Sequence, residues 1–322
     1  MVDFWMVLSP WHSTLAQEIS GVKVYTNGRA AAYAAWPEWA ARPTGRESGP
    51  VDLNVDAPRT EPSGPPAGAA RDWDWEDPDA LAGHLAEFSA ELAECRRIEV
   101  VSDTLPRTAE DFSALGLDGI EFAAFRTRHP RGLGSDIAPM HSGNSRTEFG
   151  KVYRIDGSAL FTMLDVAAPL PFADASLDWV YAEHLVEHIP LPVAVGWLRE
   201  VRRVLRPGGL LRLTTPDLAR YVEGYAEPAG GFFARHRRRL RLMRVGPPMP
   251  ERRAFMLNQI FYHYGHRWIY DEAELRHALG AAGFPADGMR RRTFQQGARP
   301  DLAELDTVFR NDETLYLEAT AN

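Results

Sequence analysis

Between residues 160 and 217 the apolar positions fall into three short blocks separated by polar turns. Phe161–Asp165 is an apolar run that ends on a carboxylate, and Pro169, Pro171, Asp174 and Ser176 form a turn-rich patch after it. Leu177–Tyr181 is the second apolar run. An amphipathic segment follows, Pro207-Gly208-Gly209 stops it, and Leu210–Thr214 closes in Thr215-Pro216-Asp217. Strand, loop, strand, helix, strand is the alternation that builds a parallel sheet with crossover helices.

The pattern continues on both sides. Gly119–Phe125 is strand-like, Gly132–Ile137 reads as a second strand carrying Asp136 near its end, and Val152–Ile155 as a further extended piece. Downstream, Leu218–Tyr225 is helix-forming, residues 258–284 end in a helix stopped at Gly280 or Gly283, and Met289–Gln296 with Glu313–Thr320 predict an antiparallel hairpin. Upstream, Leu81, Leu85, Phe88 and Leu92 recur at helical spacing from Asp77-Pro78-Asp79 to about Arg97, and Thr108–Leu115 predicts one more helix. Residues 42–72 are rich in Pro, Gly and charge and lack the apolar surface to offset their ordering entropy. The reading is therefore an aromatic-rich cap (1–41), a flexible linker (42–72), a helical extension (73–116) and an α/β domain (117–322).

Composition narrows the classes. With 322 residues, 45% hydrophobic and 11% aromatic, the chain has material for a full core. A net charge of −8 argues against a general nucleic-acid binder. One cysteine, Cys95, makes no internal disulfide and no metal cluster, which points to a reducing cytoplasm. No apolar stretch approaches the ~20 residues of a membrane helix. The expected partner is a small-molecule substrate, with no nucleic acid and no membrane; nothing in the pattern indicates an oligomeric state.

Two stretches, LPFADASLDWVYAEHLVEH and EVRRVLRPGGLLRLTTPD, resemble the second half of the class I S-adenosylmethionine (SAM)-dependent methyltransferase fold, nearest to the type 11-like small-molecule branch. The resemblance implies a Rossmann-like seven-stranded sheet with a C-terminal antiparallel hairpin, here with an N-terminal helical cap, and SAM as cofactor. It implies that Asp136, after the second strand, accepts the ribose hydroxyls. Asp165, with the backbone of Val166, would read the adenine edge. GLGSDIAP also resembles the second strand of a branch with a short helix between strands one and two. Where the family has an acidic residue followed by a glycine-rich turn, this chain reads Glu121-Phe122-Ala123-Ala124-Phe125. Alanine resists the positive φ that glycine adopts freely, so the resemblance implies that Glu121 and Ala123 face the cofactor through an altered turn.

Tyr181 and His184 fall where the family brings substrate to the methyl group. Tyr181 reads as a cation–π partner of the sulfonium or as a core aromatic. His184 reads as a general base, or with Glu183, Glu187 and His188 as the first turn of a helix. HLVEH is not a zinc motif and offers no third ligand, so no metal centre is expected. Arg235–Arg244 reads as a solvated helical face in a mobile insertion or as an anion-binding surface. Tyr262, His263, Tyr264, His266 and Trp268 line a substrate pocket or lead structurally into the last helix. Three functions stay open: methyl transfer to a small molecule, cyclisation of SAM by its own amine with release of methylthioadenosine, and a non-catalytic SAM-binding subunit.

Overall fold

The computed structural model describes residues 93–242, 250 and 252–322. The predicted cap, linker and Leu81–Leu92 helix lie outside them. The strands are Ile98–Ser102 (β1), Gly119–Phe122 (β2), Gly132–Asp136 (β3), His141–Ser142 (β4), Ser145–Arg146 (β5), Val152–Ile155 (β6), Ala159–Met163 (β7), Leu177–Glu183 (β8), Leu205–Pro216 (β9), Met289–Arg292 (β10) and Thr314–Thr320 (β11). The helices are Ala109–Ala114 (α1), Leu191–Val204 (α2), Leu218–Ala226 (α3), Phe232–Leu242 (α4), Arg253–Tyr262 (α5), Glu272–Ala281 (α6) and Pro300–Ala303 (α7).

One mixed sheet runs β1-β6-β7-β3-β2-β8-β9-β11-β10, with β4 and β5 as a separate hairpin. The centre, β7-β3-β2-β8-β9, is parallel. From β7 to β10 the chain order is third, second, first, fourth, fifth, seventh, sixth, and β11 runs antiparallel to both β9 and β10. This is the expected Rossmann-like sheet with its closing hairpin. The order reverses at β2, which places the ligand crevice of an open α/β sheet beyond the carboxyl ends of β2, β3 and β8.

Local chemistry sets the helix starts. Thr108 and Asp111 form a capping box on α1, while Asp217 and Asp271 accept backbone N–H bonds at the starts of α3 and α6. Past α6, Gly283 takes φ +97° and turns the chain away.

Side chains alternate across the strands, and the two faces differ. On one face Ile120, Phe122, Val180, Ala182, Leu211 and Leu213 form a core with Trp197 and Val201 of α2 and Leu275 and Leu279 of α6. The other face carries Glu121, Trp179, Tyr181, Glu183, Leu210 and Arg212. No crossover helix occupies residues 123–131 between β2 and β3, in contrast to the short helix the resemblance implies. That face is covered instead by residues 123–131 and by the connection from β10 to β11. Leu302 and Leu305 pack on Trp179, Tyr181 and Leu210, and the Arg128 side chain donates to the Leu305 carbonyl.

Two other segments differ from the sequence reading. Ile98–Ser102, placed in a helical extension, is an edge strand antiparallel to β6, as its β-branched Ile98, Val100 and Val101 favour. The Arg-rich segment expected to be mobile forms α4 from Phe232. Phe232, Phe233, His236 and Leu240 are buried there, so one helical stripe is anchored. Among the described residues no helix is long and apolar enough to cross a membrane.

Candidate functional site

The crevice begins where β2 ends. Glu121 is buried, its Oε2 has no hydrogen-bond partner, and burial pushes its carboxyl up to about 7 against the opposing pull of the Thr127 hydroxyl. Ala123 follows with φ +56°. The chain therefore makes the left-handed turn of a glycine with an alanine in it, which costs roughly 1–2 kcal/mol. Ala124 N–H then donates to Ser135 O at 2.8 Å, so the loop stays tied to β3.

Asp136 is the last residue of β3. Its Oδ1 accepts the Ala138 N–H at 2.9 Å, while Oδ2 is buried and unpartnered. Desolvation pushes this carboxyl up to about 7, and the backbone bonds from Ala138 and Ile137 only partly oppose it. Asp165 lies just past β7, half-buried, with Oδ1 accepting the Ala167 N–H at 2.9 Å. Val166 packs at the margin of the main core.

Tyr181 and His184 are both more deeply held than the sequence implies. The Tyr181 hydroxyl donates to Asp306 Oδ1 at 3.3 Å, with its ring between Trp179, Leu210, Leu302 and Leu305. His184 takes φ +51° immediately after β8, and its N–H donates to Thr214 O at 3.0 Å. Its ring is hydrogen-bonded through Nε2 alone. Thr314 gives its hydroxyl proton to Arg310 O at 2.6 Å, so His184 Nε2 donates to Thr314 Oγ1 at 2.9 Å and Nδ1 carries the lone pair. Nδ1 lies 3.1 Å from Glu187 Oε1. Burial lowers the imidazole well below its usual value and raises Glu187 to about 8, and neither Nδ1 nor Oε1 has a hydrogen-bond partner. Both side chains position the end of β8 in the described structure, and neither is free to swing toward a reacting group.

Residues 116–213 match a family model described as a methyltransferase domain. With the strand order above, that match decides the fold. It is a class I SAM-dependent methyltransferase fold. Relatives described as uncharacterized methyltransferases include one from Mycobacterium sp. (strain KMS), 31% identical over 140 residues, which are 43% of this chain and 50% of the relative. Another, from Mycolicibacterium gilvum (strain PYR-GCK), is 30% identical over 142 residues, 43% of this chain and 51% of the relative. The chain spans about half the length of the curated relatives it matches. Among solved structures, a SAM-dependent methyltransferase from Mesorhizobium loti aligns at 17% identity and a TM-score of 0.35, covering 66% of this chain and 98% of that one.

Within this methyltransferase fold, the test of cofactor fit falls on Asp136. A ribose presents two hydroxyl donors, and an acceptor-only group with a buried, unused oxygen at the end of β3 has the capacity to take them. The left-handed turn at Ala123 keeps the backbone path of a glycine turn and adds one methyl to it. An unused acceptor at Asp136 is the group a ribose would need there, and the Ala123 methyl is the one addition to the turn.

Several residues around this fold's crevice carry no local sequence signal. Asp306 binds both Tyr181 and Arg212, and Arg212 also donates to Glu318 at 3.0 Å. Thr307 donates its N–H and its hydroxyl to Glu183 at 2.9 and 3.0 Å, which fixes the last residue of β8. Arg267 and Trp268 N–H groups donate to Glu187 O, and positive φ at Tyr264 and Gly265 swings His266 over the same place. Of the aromatic run, Tyr264 is buried with an unpartnered hydroxyl, while Tyr262 and Trp268 are exposed. Arg212 offered one clue, since a charge inside the apolar run of a central strand requires a buried partner.

Proposed function

We propose that this chain is a SAM-dependent methyltransferase acting on a small molecule. The observation that carries the reading is the buried, unused Oδ2 of Asp136 at the strand end beside the switch point. Asp136 accepts the ribose hydroxyls. Asp165 and the Val166 backbone face the adenine edge, and Glu121 and Ala123 form the turn beside the methionyl end. The bound cofactor supplies an activated methyl on a sulfonium, with its own leaving group. The protein's part is positioning and water exclusion. Tyr181 and His184 act as positioning residues: Tyr181 ties β8 to Asp306, and His184 holds the turn after β8 to Thr214 and Thr314.

Calorimetry with SAM and S-adenosylhomocysteine, followed by mass spectrometry of turnover, tests the reading. Binding that Asp136→Ala weakens, together with S-adenosylhomocysteine as product, is expected. Methylthioadenosine from SAM alone would replace methyl transfer with cyclisation. No binding of either ligand would make the fold a non-catalytic module.

A further inference from the structure

The turn after β8 brings together three metal-binding side chains that the sequence keeps apart. One ligand atom from each of Glu187, His188 and His266 lies within 4.8 Å of the others. The His188 and His266 rings meet edge-on with centroids 4.8 Å apart. We propose that Glu187, His188 and His266 form a binding site for one zinc-class divalent ion. The inference is independent of the methyl-transfer reading.

Two imidazoles and a carboxylate are a donor set suited to zinc, and three protein ligands leave one position open for water or a substrate oxygen. Ligand atoms on a tetrahedral ion with bonds of about 2.0–2.1 Å lie roughly 3.4 Å apart. Closing from the present spacing therefore needs about 1.4 Å at most, within reach of side-chain rotation.

The supporting contacts are those of a built site. His266 Nδ1 donates to Ile260 O at 2.6 Å, which fixes the tautomer and leaves Nε2 to ligate. Glu187 Oε2 accepts the Thr215 hydroxyl at 3.1 Å, which orients the carboxyl. Outer contacts of this kind hold metal-ligating groups in place elsewhere. The backbone agrees: the Glu187 carbonyl accepts the N–H groups of Arg267 and Trp268 at 2.6 and 3.2 Å, so the loop bearing His266 is clamped to the segment bearing the other two. The sequence pairs His184 with His188 and stops there. The structure ties His184 Nε2 to Thr314 and supplies His266 from the far side of α5.

The test uses the full chain, stripped with a chelator and dialysed against Zn²⁺ or Co²⁺. One equivalent of zinc per chain by atomic emission is expected, with an intense tetrahedral Co²⁺ spectrum. His266→Ala and His188→Ala should each weaken uptake by 100-fold or more, about 2.8 kcal/mol at 1.4 kcal/mol per tenfold. His277→Ala, an exposed histidine outside the cluster, should leave it unchanged. Wild-type protein that takes up no zinc overturns the site whatever the variants do. Uptake equal in wild type and a folded His266→Ala protein, checked by thermal melt, overturns it as well. SAM binding measured on the same stripped sample stands apart from either result.

Discussion

The Trp179 indole occupies the space where a side chain on Gly119 would be. A Cβ built on Gly119 would stand 2.1 Å from the ring, and the ring is fully buried, hydrogen-bonded through Nε1 to Asp118 at 2.7 Å and packed beside His129. Gly119→Ala should therefore destabilise the protein by about 2–3 kcal/mol, in the range of overpacked cores. Adding Trp179→Leu to Gly119→Ala should recover part of the loss. Urea unfolding of the two single variants and the double gives the coupling, and strictly additive costs would show that the clash is relieved elsewhere.

Asp136 makes cofactor affinity depend on pH with a definite sign. Its folded-state value of about 7 lies above the ordinary 3.8 because the charged form is desolvated. The ligand-free protein thus carries this group protonated below neutrality, and ribose hydroxyls bind the ionised form. SAM affinity should rise about tenfold between pH 6 and 8 and level off above, since each unit below the group's value costs a factor of ten in the ionised fraction. The same shift makes this group's contribution to ligand-free stability fall as pH rises from about 4 to 7. Asp136→Asn should bind more weakly with no such slope. Calorimetric titrations at four pH values check both statements.

Arg212 sits fully buried between Asp306 and Glu318. Removing it leaves Asp306 without this partner and Glu318 with Arg292 alone, and breaking a buried pair in this way costs about 3–5 kcal/mol. Arg212→Ala should lose that much by urea unfolding. Arg212→Lys should not restore it, because an ammonium cannot present a planar fork to both carboxylates. A loss below about 1 kcal/mol would show that Arg212 is not what holds this face of the sheet together.

Ala123 holds a conformation that favours glycine. Ala123→Gly should change stability by less than about 1 kcal/mol, because relief of strain is offset by the greater freedom of glycine in the unfolded chain. It should tighten SAM binding by removing a methyl from the crevice. Ala123→Val should cost about 2 kcal/mol or more, as a β-branched residue at positive φ. Denaturation midpoints and SAM titrations of both variants decide it.

What could be read from the chain was local. The LPF and PGG stretches fixed the places of β8, α2 and β9, since periodicity, Pro190 and the Gly208 turn act within a few residues of one another. The places of Asp136 and Asp165 at or just past strand ends were legible because a carboxylate closing an apolar run is a strong strand-end signal. The partners of Tyr181, Glu183 and His184 were not: Asp306, Thr307 and Thr314 lie more than a hundred residues further on, and nothing in the intervening chain marks them. Their burial follows from how the β10–β11 connection crosses the sheet, a tertiary outcome with no local period. Ile98–Ser102 was misread for the converse reason. The helical spacing was read only to about Arg97, and residues 98–102 were grouped with it and with the Thr108–Leu115 helix, where the sheet edge makes them a strand.

The covering of one sheet face by the β10–β11 connection bears on how the molecule is made. On the ribosome, β2, β3, β7, β8 and β9 leave the exit tunnel long before residues 293–313. Until those arrive, Glu183 lacks Thr307, Arg212 lacks Asp306, and Trp179 and Tyr181 lack Leu302 and Leu305. A nascent chain that has all its parallel strands still shows a wet, charged and partly greasy surface, and parallel pairing is slow to form in any case. Productive folding is therefore deferred until residues 293–313 have been made, a period in which such chains depend most on chaperones.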